Sequence, residues 1–152
     1  MAYTSADARQ HLLDMTAAAT EEIGFALAAL GEAYEHLDEH SAERLERELF
    51  RPVQMAFGQA QRTYLEFADR HRLPSRTFQL ASPSAPSKGV KGLLDSAMDA
   101  VASADRALAT LQDSMLPVEV GDADLRASLQ EIRKLLGGLS GRAHELVRTL
   151  GR

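Results

Sequence analysis

Over residues 5–37 apolar side chains recur every three or four positions. Leu12, Leu13, Ala19, Ile23, Ala26, Leu27, Leu30, Ala33 and Leu37 share this spacing, with Thr16 and Tyr34 in phase. That period belongs to an α-helix with one buried seam. A helix of this length is marginal alone in water, so the seam needs partners from the rest of the chain. Thr4 followed by Asp7 resembles a capping box and marks the start. No proline occurs before Pro52, and Ala and Leu are abundant, so nothing stops the helix early.

Three further segments carry the same period. The second reads Leu45, Leu49, Phe50, Val53, Ala56, Phe57, Ala60, Thr63, Tyr64 and Phe67, with Ser41 as its expected N-cap. Pro52 falls inside it and predicts a kink, because the seam continues on both sides. The third runs through Val90, Leu93, Leu94, Ala97, Val101, Ala104, Leu108, Leu111 and Met115, with Ser87 as cap and Pro117 as stop. The fourth follows Asp122 through Leu125, Leu129, Ile132, Leu135, Leu136, Leu139, Ala143, Leu146 and Leu150. Gly137, Gly138 and Gly141 interrupt it, and the unbroken phase predicts one helix with a weak point there.

The expected elements are therefore helices over about residues 5–38, 42–72, 88–114 and 122–150. The expected fold is all-α: a single-domain antiparallel four-helix bundle with up-down-up-down order. Residues 73–87 contain three prolines and four serines and predict a long irregular connection between the second and third helices. Arg76, Phe78 and Leu80 in that connection are candidates for lying on the bundle or holding an extended partner.

The side of the first helix away from the seam is unusual for a water-facing surface. Ala17, Gly24, Phe25, Ala28 and Gly31 lie there where Glu, Lys and Arg would be expected. Each mid-helix glycine costs about 1 kcal/mol against alanine. These five residues are the interface candidates, facing either another helix or the long connection. Met55 and Leu65 also lie outside the seams.

Composition narrows the function classes. There are no cysteines, which excludes disulfides, thiolate metal sites and cysteine nucleophiles. The net charge is −5, with 13 acids against 5 Lys and Arg in residues 1–69. Such a balance, with few aromatics and no tryptophan, argues against nucleic-acid binding. No apolar run approaches the roughly 18 residues needed to span a bilayer, and no helix has a basic amphipathic face. No signal peptide is visible, so a cytoplasmic protein without a membrane partner is expected. The Ala, Leu and Arg bias is that of GC-rich bacterial genomes.

Catalytic motifs are missing. There is no Gly-x-Gly-x-x-Gly, P-loop or Gly-x-Ser-x-Gly. No Glu-x-x-His pair supplies the carboxylates of a di-metal bundle. His36 and His40 have the spacing of two metal ligands on one helical face, with Glu39 or Glu43 as a third. Thr16, Thr63 and Tyr64 could meet in a small-ligand pocket. The expectation is a non-enzymatic, cofactor-free protein acting through surface contacts, with a protein partner or a second copy of itself. The competing class is a bundle that binds a metal or small ligand, with or without catalysis.

Overall fold

The structure, a computed structural model, describes residues 4–80 and 89–150. Among them every regular element is helical. In chain order these are α1 (Ser5–Glu35), α2 (Glu39–Leu45), a π-helical turn (Glu46–Phe50), α3 (Arg51–Arg70), α4 (Gly89–Asp113), α5 (Leu116–Glu119), α6 (Ala123–Leu136) and α7 (Leu139–Leu150). Except for Tyr34 and Met115, which are exposed, the apolar seam residues of all four periodic segments form one core, in which Leu12, Ile23, Leu30, Leu49, Phe67, Leu108, Leu129 and Leu146 are almost wholly removed from water.

Thr4 caps α1 as expected, its hydroxyl accepting from the Asp7 N–H at 3.0 Å. The helix stops at Glu35, three residues early. His36 and Leu37 donate to Ala33 and Tyr34 and tighten the last turn. Asp38, not Ser41, then caps the next helix, accepting from the Ser41 N–H at 2.9 Å. That hydrogen bond is the main reason the Asp38 carboxyl is held below its ordinary range.

Pro52 neither breaks the second segment nor leaves it regular. It has no N–H for the Glu48 carbonyl. The turn before it widens, with Arg51 N–H reaching back to Glu46. Arg142 of α7 supplies the missing donor, its guanidinium lying 3.2 Å from the Glu48 carbonyl oxygen.

The fourth segment is two helices rather than one. Gly137 is extended at φ −68° and ψ 140°, and Gly138 takes φ +80°. The second of these is a backbone state open to glycine at little cost. Leu136 and Leu139 stay buried on either side, so the core face survives the break. That is why the periodicity concealed it.

Cross-chain hydrogen bonds fix the helix directions. Arg70 and His71 at the end of α3 bind Asp122 at the start of α6, and Arg44 of α2 reaches Thr149 near the end of α7. α6 and α7 therefore run antiparallel to α2 and α3. Gly31 faces Phe50 and Gly24 faces Phe57, so α1 and α3 are antiparallel. Arg9 donates to the Val120 carbonyl just past α5, while Phe25 shares a cleft with Asp99 and Ala100, so α1 and α4 are antiparallel too. α3 and α4 thus point the same way. The order of directions is up, down, down, up, and the expected up-down-up-down order does not hold.

The connection after α3 is accordingly a crossover. It must climb from the Asp122 end of the molecule to the opposite end, a rise of about 37 Å for the 25 residues of α4. Its length is a requirement of this geometry. Residues 73–80 are extended and lie along the outside of α1 and α3; the Pro/Ser-rich tail over 81–87, with the Ser87 cap, falls outside the described residues. α3 enters the crossover through a Schellman turn, with Leu73 N–H bonded to Ala68 at 2.8 Å and Arg72 N–H to Asp69. Arg72 occupies the left-handed position at φ +54°, where glycine is usual. Arg72→Gly should therefore raise stability by about 0.5–1 kcal/mol in a urea titration. An unchanged or lower midpoint would show the strain to be absent.

Candidate functional site

Two sets of residues singled out in the sequence meet in one place. Gly24 of α1 lies beneath both α3 and the crossover. A β-carbon there would sit 2.9 Å from the Phe57 ring and 3.5 Å from Leu80. Gly24 is small because an aromatic ring and the crossover both need its space. Ala17 is buried too, and Gly31 lies 3.9 Å, measured from a built β-carbon, from the Phe50 ring. The small-residue stripe thus faces this chain's own helix and crossover over much of its length. Phe25 and Ala28 are half-buried at its edge.

The crossover is fastened to this surface by Tyr64, Arg76 and Phe78. The Arg76 backbone N–H donates to the Tyr64 hydroxyl at 3.2 Å. Phe78 stacks edge-on against the Tyr64 ring, with centroids 5.0 Å apart and planes at 80°. The Arg76 guanidinium sits 4.5 Å above the Phe78 ring and pairs with Glu21 of α1. Leu80 reaches Gly24 yet keeps 50% of its surface exposed.

Beside these contacts opens a cleft of about 540 Å³, lined by Glu21, Glu22, Gly24, Phe25, Phe57, Arg76, Phe78 and Gln79. Its floor and walls are aromatic and its rim carries two carboxylates. A smaller hollow of about 270 Å³ adjoins it across Phe25 and Glu22, with Asp99 on its far side. Glu22 has no hydrogen-bond or ion-pair partner among the described residues. Glu21, Glu22 and Gln79 were not singled out in the sequence, where a helical glutamate reads as solvated surface. Their role depends on the path of the crossover, which no spacing encodes.

The other candidates are placed differently. His36 ends α1 and His40 lies in the first turn of α2, so they do not share a helical face; His36 stands 3.2 Å from Glu32. Among the described residues no three His, Asp or Glu side chains lie close enough together to hold a metal ion. Thr16 and Thr63 donate to their own helix carbonyls, Leu12 and Gln59, at 2.9 and 2.7 Å. Tyr64 is taken up by Arg76. The three do not line a common cleft.

A second polar cluster ties α3 to α6. Asp122 caps α6 through the Leu125 N–H and accepts both Arg70 nitrogens at 2.8 and 2.9 Å and His71 at 3.0 Å. Burial alone would raise its carboxyl, but the Arg70 bonds, the Leu125 N–H and His71 outweigh it and hold the pKa at about 2. This bidentate arrangement positions helices and does not border the cleft.

No described helix is long and apolar enough to cross a membrane. No family model, curated protein or solved structure matches the chain.

Proposed function

We propose that the chain is a single-domain antiparallel four-helix bundle with one long crossover, and that it works without catalysis through surface contacts, by self-association into a homo-oligomer. The pairing of α1 with α3 and α4, of α6 with α3 and α4, and of α7 with α4, α2 and the π-helical turn supports the bundle. The observation that carries the self-association is the face where the crossover lies on α1. Phe25 stands half-buried there, and Leu80, which reaches Gly24, is half-exposed, so this face leaves apolar surface open to a partner. Met55 and Leu65, exposed on α3, are a second apolar region, at 60% and 42%. The buried hydroxyls of Thr16, Thr20 and Thr63 are spent on helix carbonyls, and among the described residues no buried side-chain polar atom is left without a partner.

The test is light scattering over a range of concentrations. A dimer or larger species is expected, and Phe25→Asp or Leu80→Asp should weaken it by about tenfold or more, roughly 1.4 kcal/mol. Both positions are partly exposed, so the fold survives and the circular dichroism spectrum should not change. A monomer at every concentration, or variants that associate like the parent, would overturn the proposal. Gly24→Leu is unsuited to this purpose because it strikes Phe57 inside the chain.

A further inference from the structure

We infer that the cleft between α1 and the crossover binds an organic cation, a guanidinium or alkylammonium group carried on a short apolar stem such as an arginine side chain of a peptide. The inference concerns a different ligand and places it on Phe25, beside the surface proposed for self-association.

Three phenylalanine rings, Phe25, Phe57 and Phe78, line one cleft of about 540 Å³ with Glu21 and Glu22 at its edge. Aromatic faces and carboxylates are the two groups that attract a weakly hydrated cation, and they reinforce each other where water is thinned by apolar walls. The chain itself shows the binding mode. Arg76 places its guanidinium over the Phe78 ring and on the Glu21 carboxylate, both within this cleft. The Glu22 side has the same ingredients, a carboxylate beside the Phe25 ring, with no cation on it among the described residues. Asp99 across the adjoining hollow adds a further negative charge. Among the described residues Arg76 is the one cationic residue in the lining of either cleft. A ligand guanidinium on Glu22 would repeat on that side the arrangement Arg76 already makes on Glu21, with its stem on Phe25 and Phe57 and Gln79 available to its backbone amides.

The probe is the tripeptide acetyl-Leu-Arg-Leu-amide, titrated into the full chain while the phenylalanine ring signals are followed by NMR. The chain has five phenylalanines, so Phe50 and Phe67, which lie outside the cleft, serve as internal controls. Selective shifts of Phe25, Phe57 and Phe78 are expected, with a dissociation constant of about 1 mM or tighter. The same peptide with citrulline, which keeps the shape and removes the charge, should bind at least about fivefold more weakly, as should the parent peptide to Glu22→Gln. Spermidine forms the second arm. Ring shifts by the peptide alone assign the cation to a side chain, and equal shifts by spermidine assign it to free amines; both uphold recognition of the cation. Absence of selective ring shifts with either probe at about 10 mM, citrulline binding as well as arginine, or an unchanged Glu22→Gln would overturn the inference. Glu22→Gln should leave the scattering mass unaltered, so failure here is separable from failure of the self-association.

Discussion

Replacing Asp122 with alanine is expected to lower the free energy of unfolding by about 2–3 kcal/mol, because one carboxylate serves as helix cap and as partner to a bidentate arginine. The cap on the Leu125 N–H and the pairing of Arg70 and His71 are lost together, and α3 separates from the start of α6. Asp122→Asn keeps a side-chain oxygen for the cap and loses the charge, so it should cost about 1 kcal/mol. Acid titration gives an independent check. The carboxyl has a pKa of about 2 in the folded chain against an ordinary 3.8, so the native state holds its proton more weakly than the unfolded state. Its stabilising contribution, about 1 kcal/mol at full ionisation once solvent screening is allowed for, is complete above about pH 5 and lost as pH falls toward 2. The gap between parent and Asp122→Asn in urea midpoints should shrink over that interval. A gap that stays constant from pH 6 to pH 2 would show that the charge contributes nothing.

The second large effect lies at Gly24. Leucine at this position drives its side chain into the Phe57 ring and the Leu80 contact, and a loss of about 2–3 kcal/mol is expected from overpacking. Alanine is a finer probe. Its single methyl meets the ring at 2.9 Å, while the gain in helix propensity is about 1 kcal/mol, so the two nearly cancel. Cutting back the ring separates the terms. In the Phe57→Ala background, Gly24→Leu should become at least about 1 kcal/mol less harmful than in the parent. Additive losses in that cycle would mean that the ring does not rest on the glycine.

Periodicity disclosed most of the core, since most seam residues from Leu12 to Leu146 are buried, with Tyr34 and Met115 exposed as the exceptions and Leu37, Phe50, Val90 and Leu135 partly buried. It could not disclose which helix each seam faces. An apolar stripe on α4 is satisfied equally by an adjacent or a diagonal neighbour, and the simpler path is not the one taken. Ser41 and Asp38 are both good caps three residues apart, and the choice between them turned on where α1 stopped. The break at Gly137 and Gly138 stayed hidden because the apolar phase is preserved across it. Half of the candidate site was legible: Gly24 and Phe25 as odd residues for a surface, Arg76, Phe78 and Leu80 as odd residues for a loop. Their meeting, and the contribution of Glu21, Glu22 and Gln79, depend on the crossover running along α1.

That crossover also sets the order in which the chain can come together. α1 is joined by a short turn to the helical segment formed by α2, the π-helical turn and α3, and the two can pair early, as can α4 with α6 through α5. The most extensive helix pairing is neither of these. It joins α1 to α4, whose sequences are separated by everything between Glu35 and Gly89. A half-formed α1–α3 hairpin therefore carries a naked apolar flank until the second half docks, while the strap over residues 76–80 can already settle on it, because its partners Glu21, Gly24 and Tyr64 belong to α1 and α3. Contacts so distant in sequence are slow to close, so docking of the two halves is the expected slow step of folding, and the undocked halves are the expected aggregation-prone species.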